Sequence, residues 1–120
     1  MNNKIKGNEG EKIAQEYLQT HGFKILDTNF RFSRVSEIDI IAQKNNTLHF
    51  IEVKTRSGNF FGTPFEAITK SKLNSIYSCS KHYLSTTNIR YDGVQIDAIG
   101  VILKRDGKHE IQFLENISLN

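Results

Sequence analysis

The sequence predicts an α/β fold in which helices flank a mixed five-stranded sheet, in the order αβββαββ. Apolar residues recur at helical spacing near the N-terminus and again after the single proline. Between these segments lie one short strand and a stretch that is typical of a β-hairpin. The C-terminal third adds two apolar segments separated by an Asp-Gly turn. The chain has 120 residues, which predicts one domain over residues 1–120 with a single packed core.

The first helix is expected over residues 8–20, with Asn8 as its N-cap and Gly22 just beyond its end. Beyond the hairpin, the remaining elements are bounded by turn residues or by changes of periodicity. They are a strand over 23–27, a polar connection over 28–36, a loop over 57–64, a second helix over 65–84, and strands over 94–103 and 110–114 that flank Asp106-Gly107.

The hairpin over residues 37–54 is the most informative segment. Asn45-Asn46 is the expected turn, because asparagine tolerates the left-handed conformation that a two-residue hairpin loop requires. Side chains alternate across a strand, so this turn fixes which residues share a face. One face is expected to carry the opposed pairs Ile41–Phe50, Asp39–Glu52 and Glu37–Lys54, and the other Ile38, Ile40, Ile51 and Val53.

The Asp39–Glu52 pair predicts a metal site. Opposed residues in a sheet have Cβ atoms roughly 4.5–5.5 Å apart, and like charges at that distance repel unless a cation lies between them. Mg²⁺, or Mn²⁺ in its place, is commonly held by one or two carboxylates with water and phosphate. Lys54 would orient a water or neutralise a phosphate. The alternative is a solvated strand face on which Glu37 and Lys54 form an ordinary cross-strand ion pair.

The net charge of +3 and the pI near 9.0 permit binding to a polyanion. Basic residues flank the acidic segments, and we expect Arg31, Arg34, Arg56 and Lys70 to contact nucleic acid. Lys72 is an accessory candidate that could instead be a surface lysine whose stem covers apolar residues. For any one of these residues, ordinary solvated surface is the alternative.

Composition bounds the setting of the protein. No apolar run approaches the roughly 20 residues of a membrane span, and we expect no secretory signal because no apolar segment follows the first residues. The single cysteine, Cys79, is expected to be a helix residue in the core and fits a cytoplasmic location. The histidines lack zinc-ligand spacing. Asp97 lies within an apolar strand and should bond to a neighbouring element.

The element order and the pattern Asp39…Glu52-Val53-Lys54 resemble the restriction-endonuclease-like, PD-(D/E)XK nucleases. The sequence is most similar to the YraN-type uncharacterised protein family, which is related to Holliday-junction resolvases. The matching positions extend over nearly the whole chain: Gly7 to Glu11, Ala14, Tyr17-Leu18, Gly22 to Leu26, Asn29, Arg31, Glu37 to Ala42, Phe50 to Arg56, Phe61-Gly62, Lys72, Tyr83-Leu84 and Asp97. Ser36 departs from the glycine usual before Glu-Ile-Asp, and Gln95-Ile96-Asp97 replaces a common Arg-Phe-Asp.

The resemblance implies a restriction-endonuclease-like core with Asp39 and Glu52 as metal ligands and Lys54 as the catalytic lysine. It places Glu11 near the site as a further acid and includes Glu37 as an accessory member. It also implies nucleic acid as partner, DNA rather than RNA, and a homodimer, because junction-resolving relatives work as dimers.

Two hypotheses of function follow. The first is a metal-dependent endonuclease that hydrolyses phosphodiester bonds, with branched or damaged DNA as candidate substrates. Mg²⁺ on Asp39 and Glu52 would activate a water, which Lys54 would position. The second is a non-catalytic nucleic-acid-binding or adaptor module that keeps the nuclease fold. It predicts salt-dependent binding without any product.

Overall fold

A computed structural model of the chain describes residues 3–34, 36–58, 65 and 68–117, with side chains from residue 7 onward. The elements follow the predicted order αβββαββ. They are α1 (Asn3–Thr20), β1 (Lys24–Arg31), β2 (Glu37–Lys44), β3 (Thr47–Ser57), α2 (Lys70–Thr86), β4 (Gly93–Leu103) and β5 (His109–Leu114). Within the described ranges, neither helix is long and apolar enough to span a membrane.

The five strands form one sheet in the order β1-β2-β3-β4-β5. Neighbouring strands are antiparallel except β3 and β4, which run parallel and are joined through α2. The sheet is therefore mixed, as predicted. The helices pack against two separate apolar clusters. The α1-side core comprises Ala14, Leu18, Phe23, Ile40, Ala42, Ile51, Val53, Ile99 and Val101. The α2-side core comprises Ile38, Ile41, Leu48, Phe50, Ile76, Cys79 and Tyr83.

The hairpin turn lies where the sequence predicts it. Asn45 and Asn46 both have positive φ, 51° and 64°, as a turn that matches the twist of the flanking strands requires. Lys44 pairs with Thr47 and Ile41 with Phe50. The ladder between β2 and β3 ends at Ile40–Ile51, so the predicted pairing does not continue to the acidic residues.

The predicted alternation of side chains is wrong at Ile38. Ile38 packs in the α2-side core together with Ile41, whereas Ile40 lies in the α1-side core. The cause lies one residue away, where Oδ2 of Asp39 accepts a hydrogen bond from the backbone N–H of Val53 at 2.8 Å. A side chain thus takes the donor that a regular ladder would use, and β2 leaves the β3 register.

The predicted element boundaries differ from the structure at three places. α1 begins at Asn3, so Asn8 is an interior residue and not the N-cap, because a capping preference is a local signal that helix propagation overrides. β1 extends to Arg31 through the residues predicted as a connection, because these residues pair with β2. α2 begins at Lys70, where the Thr69 hydroxyl caps the helix, and not at residue 65. Most of the predicted loop, residues 59–64, lies outside the described ranges.

Other predicted features are confirmed. Gly22, with φ of 86°, ends α1, where the N–H groups of Gly22 and Phe23 bond to the carbonyls of Gln19 and Leu18. Cys79 is fully buried on α2. Asp97 is also fully buried, and it accepts hydrogen bonds from three donors: His49 Nδ1 at 2.6 Å, Gln95 Nε2 at 2.8 Å and the Asn116 backbone N–H at 2.7 Å.

Candidate active site

Acidic and basic side chains converge at one end of the sheet. β2 begins there and β3 ends there, so Asp39 and Glu52 enter the same region from antiparallel strands. α2 adds Lys72 from its first turn. The group therefore depends on three elements, of which only the two strands are adjacent in sequence.

Glu52 is the most deeply buried acid of this group, with 3% of the residue exposed. Its Oε1 lies 3.6 Å from Lys54 Nζ, and its Oε2 lies 3.5 Å from Lys72 Nζ. These distances are long for charged hydrogen bonds, which are usually about 2.7–2.9 Å. Among the described residues, Oε2 of Glu52 is the one buried side-chain nitrogen or oxygen without a hydrogen-bond partner. Burial, followed by the charge of Asp39, raises the pKa of Glu52 to about 7.

Asp39 lies beside Glu52 with one oxygen engaged by the Val53 backbone. Burial raises the pKa of Asp39 above its ordinary value, and the nearby Glu37 adds to this effect. The hydrogen bond from Val53 and the charges of Lys72 and Lys54 act in the opposite direction. The charge of Asp39 also raises the pKa of Glu52, and two neighbouring desolvated carboxyl groups form a site that gains from a bound cation.

Glu11 and Glu37 form the outer part of the cluster. Burial, then the charges of Asp39 and Glu37, raise the pKa of Glu11 to about 7. Glu37 pairs with Arg31 Nη2 at 3.1 Å. The alternative interpretation, a cross-strand ion pair between Glu37 and Lys54, does not fit these contacts, because the β2–β3 ladder ends before that level and Lys54 lies near Glu52 instead.

Asn29 belongs to this cluster, although the sequence marked it only as part of a family pattern. With its amide nitrogen turned toward the acids, it donates to Oε1 of Glu11 and to Oε1 of Glu37, each at 3.1 Å. Its φ of 53° lies in the left-handed region that asparagine tolerates better than most residues. Asn29 thereby links α1 to the start of β2.

The donor set fits a hard divalent cation that keeps much of its water. Asp39 and Glu52 offer carboxylate oxygens. Because Oε2 of Glu52 has no hydrogen-bond donor, a cation could bind there. Across the described ranges, no three His, Cys, Asp or Glu side chains converge as a complete ligand set. Two carboxylates completed by water or phosphate suit Mg²⁺, whereas a structural zinc site needs four protein ligands.

The predicted basic residues lie around this end of the sheet. Arg31 is 62% exposed at its side chain and pairs with Glu37, while Arg34 and Lys70 are exposed. Arg56 is half-buried and donates to the Thr55 carbonyl at 3.0 Å. Their contact with nucleic acid stays a prediction.

A second basic group escaped the sequence reasoning. Lys104, Arg105 and Lys108 flank the turn between β4 and β5 and are exposed. Because β3 and β4 are parallel and Ser57 pairs with Leu103, this turn lies at the same end of the sheet as the acids. The sequence shows that basic residues flank the Asp106-Gly107 turn. Only the parallel pairing of β3 and β4 shows that this turn lies at the acidic end of the sheet. Neighbouring strands lie about 4.8 Å apart, and β1 and β4 are separated by three such spacings. Their ends therefore lie roughly 14 Å apart, with the acids between them.

The fold and this cluster define an α/β protein with acidic and basic side chains gathered at one end of its sheet, and comparison with known proteins places it in a family. The model of the uncharacterised protein family UPF0102 matches residues 10–101, and the chain belongs to that family.

Relatives described as UPF0102 proteins align over nearly the whole chain. One from Alkaliphilus oremlandii is 42% identical over 97% of this chain and 98% of its own. One from Campylobacter hominis is 44% identical over 94% of this chain and 93% of its own. Among solved structures, Pyrococcus furiosus SfsA in complex with Ca²⁺ aligns with a TM-score of 0.38 and 16% identity, over 93% of this chain and 63% of its own. That similarity is too distant to bear on function.

Proposed function

We propose that this protein is a metal-dependent nuclease that hydrolyses phosphodiester bonds in DNA. One observation carries the proposal: the buried Glu52 has a carboxylate oxygen without a hydrogen-bond partner, lies beside the half-buried Asp39 and faces two lysines. As a purely structural feature this arrangement is costly, because the acids are desolvated and repel each other. A site selected to bind a cation and a phosphate accounts for that cost.

In the proposed site, Asp39 and Glu52 would hold Mg²⁺ or Mn²⁺. Such an ion, when bound, neutralises phosphate charge and lowers the pKa of a water. Lys54 lies within 3.6 Å of Glu52, so its ammonium group can orient a water or stabilise negative charge on the phosphate. Lys72 supplies a second positive charge from α2. Glu11, with its raised pKa, would accept a proton or order an outer water.

The basic residues support the choice of a polyanionic substrate. Arg31 and Arg34 lie on one side of the acids, and the β4–β5 turn with Lys104, Arg105 and Lys108 lies on the other. Charges on both sides of a buried acidic site suit a substrate whose backbone crosses it. The proposal includes a cytoplasmic location and a homodimeric enzyme. Its candidate substrates are branched or damaged DNA structures.

The experiment that tests the metal site is calorimetric titration of Mn²⁺ and Mg²⁺ into the protein. Asp39→Asn is the informative variant, because its amide oxygen can still accept from the Val53 N–H while the charge is removed. Glu16→Gln, which removes an exposed acid of α1, is the matched control. We expect binding in the wild type and the control and at least a tenfold loss in Asp39→Asn. Equal binding in all three proteins would refute the assigned ligands.

Cleavage is tested on two further variants. Asp39→Ala and Lys54→Ala should abolish cleavage while leaving duplex binding largely intact, and circular dichroism checks that both variants fold. Loss of folding in both would contradict assigning them a catalytic role. If the wild type binds DNA in a salt-dependent manner but forms no product with any metal, the chain is the non-catalytic binding or adaptor module.

A further inference from the structure

An exposed aromatic ring lies close to the candidate site without contributing to it. Phe32 follows β1 and has 51% of its surface exposed. One face of its ring stacks on the His82 imidazole, with centroids 4.2 Å apart and planes inclined by 23°. Because one face of the ring is covered and half of the side chain is exposed, the opposite face is open to a ligand.

The ring is held in place by the core of the protein. Phe30 stacks with His82 at 6.2 Å and meets Tyr83 edge-on at 5.2 Å, and Tyr83 meets the buried Phe50 at 5.9 Å. The Phe32 backbone N–H also bonds to the Ser36 carbonyl at 3.1 Å. A ring fixed in this way loses little conformational entropy when a flat ligand stacks on it.

The charges around Phe32 indicate which flat ligand it would take. Arg31 and Arg34 are its neighbours in the chain, and both are exposed. Arg31 also pairs with Glu37, which ties this segment to the acid cluster. An aromatic face beside arginines is how proteins hold unpaired bases, because the ring stacks on the base while the cations follow the backbone.

We propose that Phe32 and His82 form a stacking platform for an unpaired nucleobase, so that the substrate is a duplex carrying a single-stranded segment. This inference rests on the proposed function, because it assigns a substrate class to the same site. Ten residues of α2 separate Lys72, beside Glu52, from His82, a rise of about 15 Å. That distance is spanned by about four stacked nucleotides at 3.4 Å each.

The test is fluorescence anisotropy without metal, comparing a blunt DNA duplex with the same duplex carrying tails of one to eight nucleotides. We expect the tail to increase affinity, with the gain reaching its limit near five nucleotides. Phe32→Ala should bind the tailed duplex roughly tenfold more weakly than the wild type does, in line with the loss of stacking on one base. Phe32→Tyr should retain the gain, whereas Phe32→Leu, apolar but not aromatic, should lose it. Tyr91→Ala, at another exposed aromatic residue, is the control.

A 2-aminopurine placed along the tail reports stacking directly, because its fluorescence falls when it stacks on a ring. Quenching in the wild type and in Phe32→Tyr, but not in Phe32→Leu, would support the platform. Equal affinity of the wild type for blunt and tailed duplexes, or an equal gain in Phe32→Ala, would overturn it. Metal titration and cleavage are measured on the same Phe32 variants. If the Phe32 variants bind metal and also bind the tailed duplex as the wild type does, the platform is refuted and the nuclease proposal is not. If tail binding depends on Phe32 but the wild type binds no metal, the nuclease proposal is refuted and the platform is not.

Discussion

Replacing Glu52 with glutamine should change how the stability of the protein depends on pH. Burial and Asp39 raise the pKa of Glu52 from 4.5 to about 7 in the folded protein. Between these values the folded state keeps a proton that the unfolded chain has released. The stability contributed by protonated Glu52 is therefore fully present below about pH 4.5 and is lost as pH rises to about 7.

The size of this change in stability follows from how far the pKa of Glu52 is raised. A difference of about 2.5 pKa units at roughly 1.36 kcal/mol per unit gives a full loss of about 3 kcal/mol, of which about 2–3 kcal/mol falls between pH 5 and pH 8. In a domain of this size that corresponds to roughly 10 °C in Tm. Glutamine cannot titrate, so this component of the pH dependence should disappear in Glu52→Gln.

The assay is urea unfolding followed by circular dichroism at pH 5, 6, 7 and 8 in buffer with a chelator. The difference in unfolding free energy between Glu52→Gln and the wild type should move by about 2–3 kcal/mol in favour of the variant across this range. Glu16→Gln, at an exposed acid, should show no such movement. Parallel pH profiles for the wild type and Glu52→Gln would refute the argument that burial dominates this site.

Three further predictions concern the surroundings of the site. Lys72→Met should destabilise the protein by about 2 kcal/mol at pH 8, measured by urea unfolding, because Glu52 then loses its nearest cation, and the loss should vanish near pH 5, where Glu52 is protonated. Gly10→Ala should cost about 1–3 kcal/mol, since its Cβ would lie 1.8 Å from the Thr55 hydroxyl, and Thr55→Ala in the same chain should restore part of the loss. Asp97→Ala should cost about 3–5 kcal/mol in thermal unfolding, because three donors lose their buried acceptor; a cost under 1 kcal/mol would contradict this account.

Much of the fold follows from local patterns. The hairpin was predictable because Asn45-Asn46 fixes the turn and strand alternation then fixes the register for several residues on either side. The end of α1 was predictable because Gly22 provides the left-handed residue that a helix terminus needs. Local signals were weaker at the start of each helix, where propensity competes with packing and pairing.

The candidate site was predictable only in part. The sequence brings Asp39, Glu52 and Lys54 together because they lie on two strands joined by a tight turn. It did not reveal that Asp39 bonds to the Val53 backbone, so the acids meet where β2 and β3 diverge and not across a regular ladder. This distinction matters because one oxygen of Asp39 is already engaged by the Val53 N–H.

The sequence by itself thus determined the element order, the hairpin register near its turn and the types of residue at the site, because each depends on residues that are close in the chain. The tertiary structure alone decided that Lys72 faces Glu52, that Asn29 joins Glu11 to Glu37, and that Glu52 is buried with an orphaned oxygen. These features arise where α1, α2 and the sheet meet. Their energies depend on desolvation and on distances between side chains far apart in sequence, which periodicity does not encode.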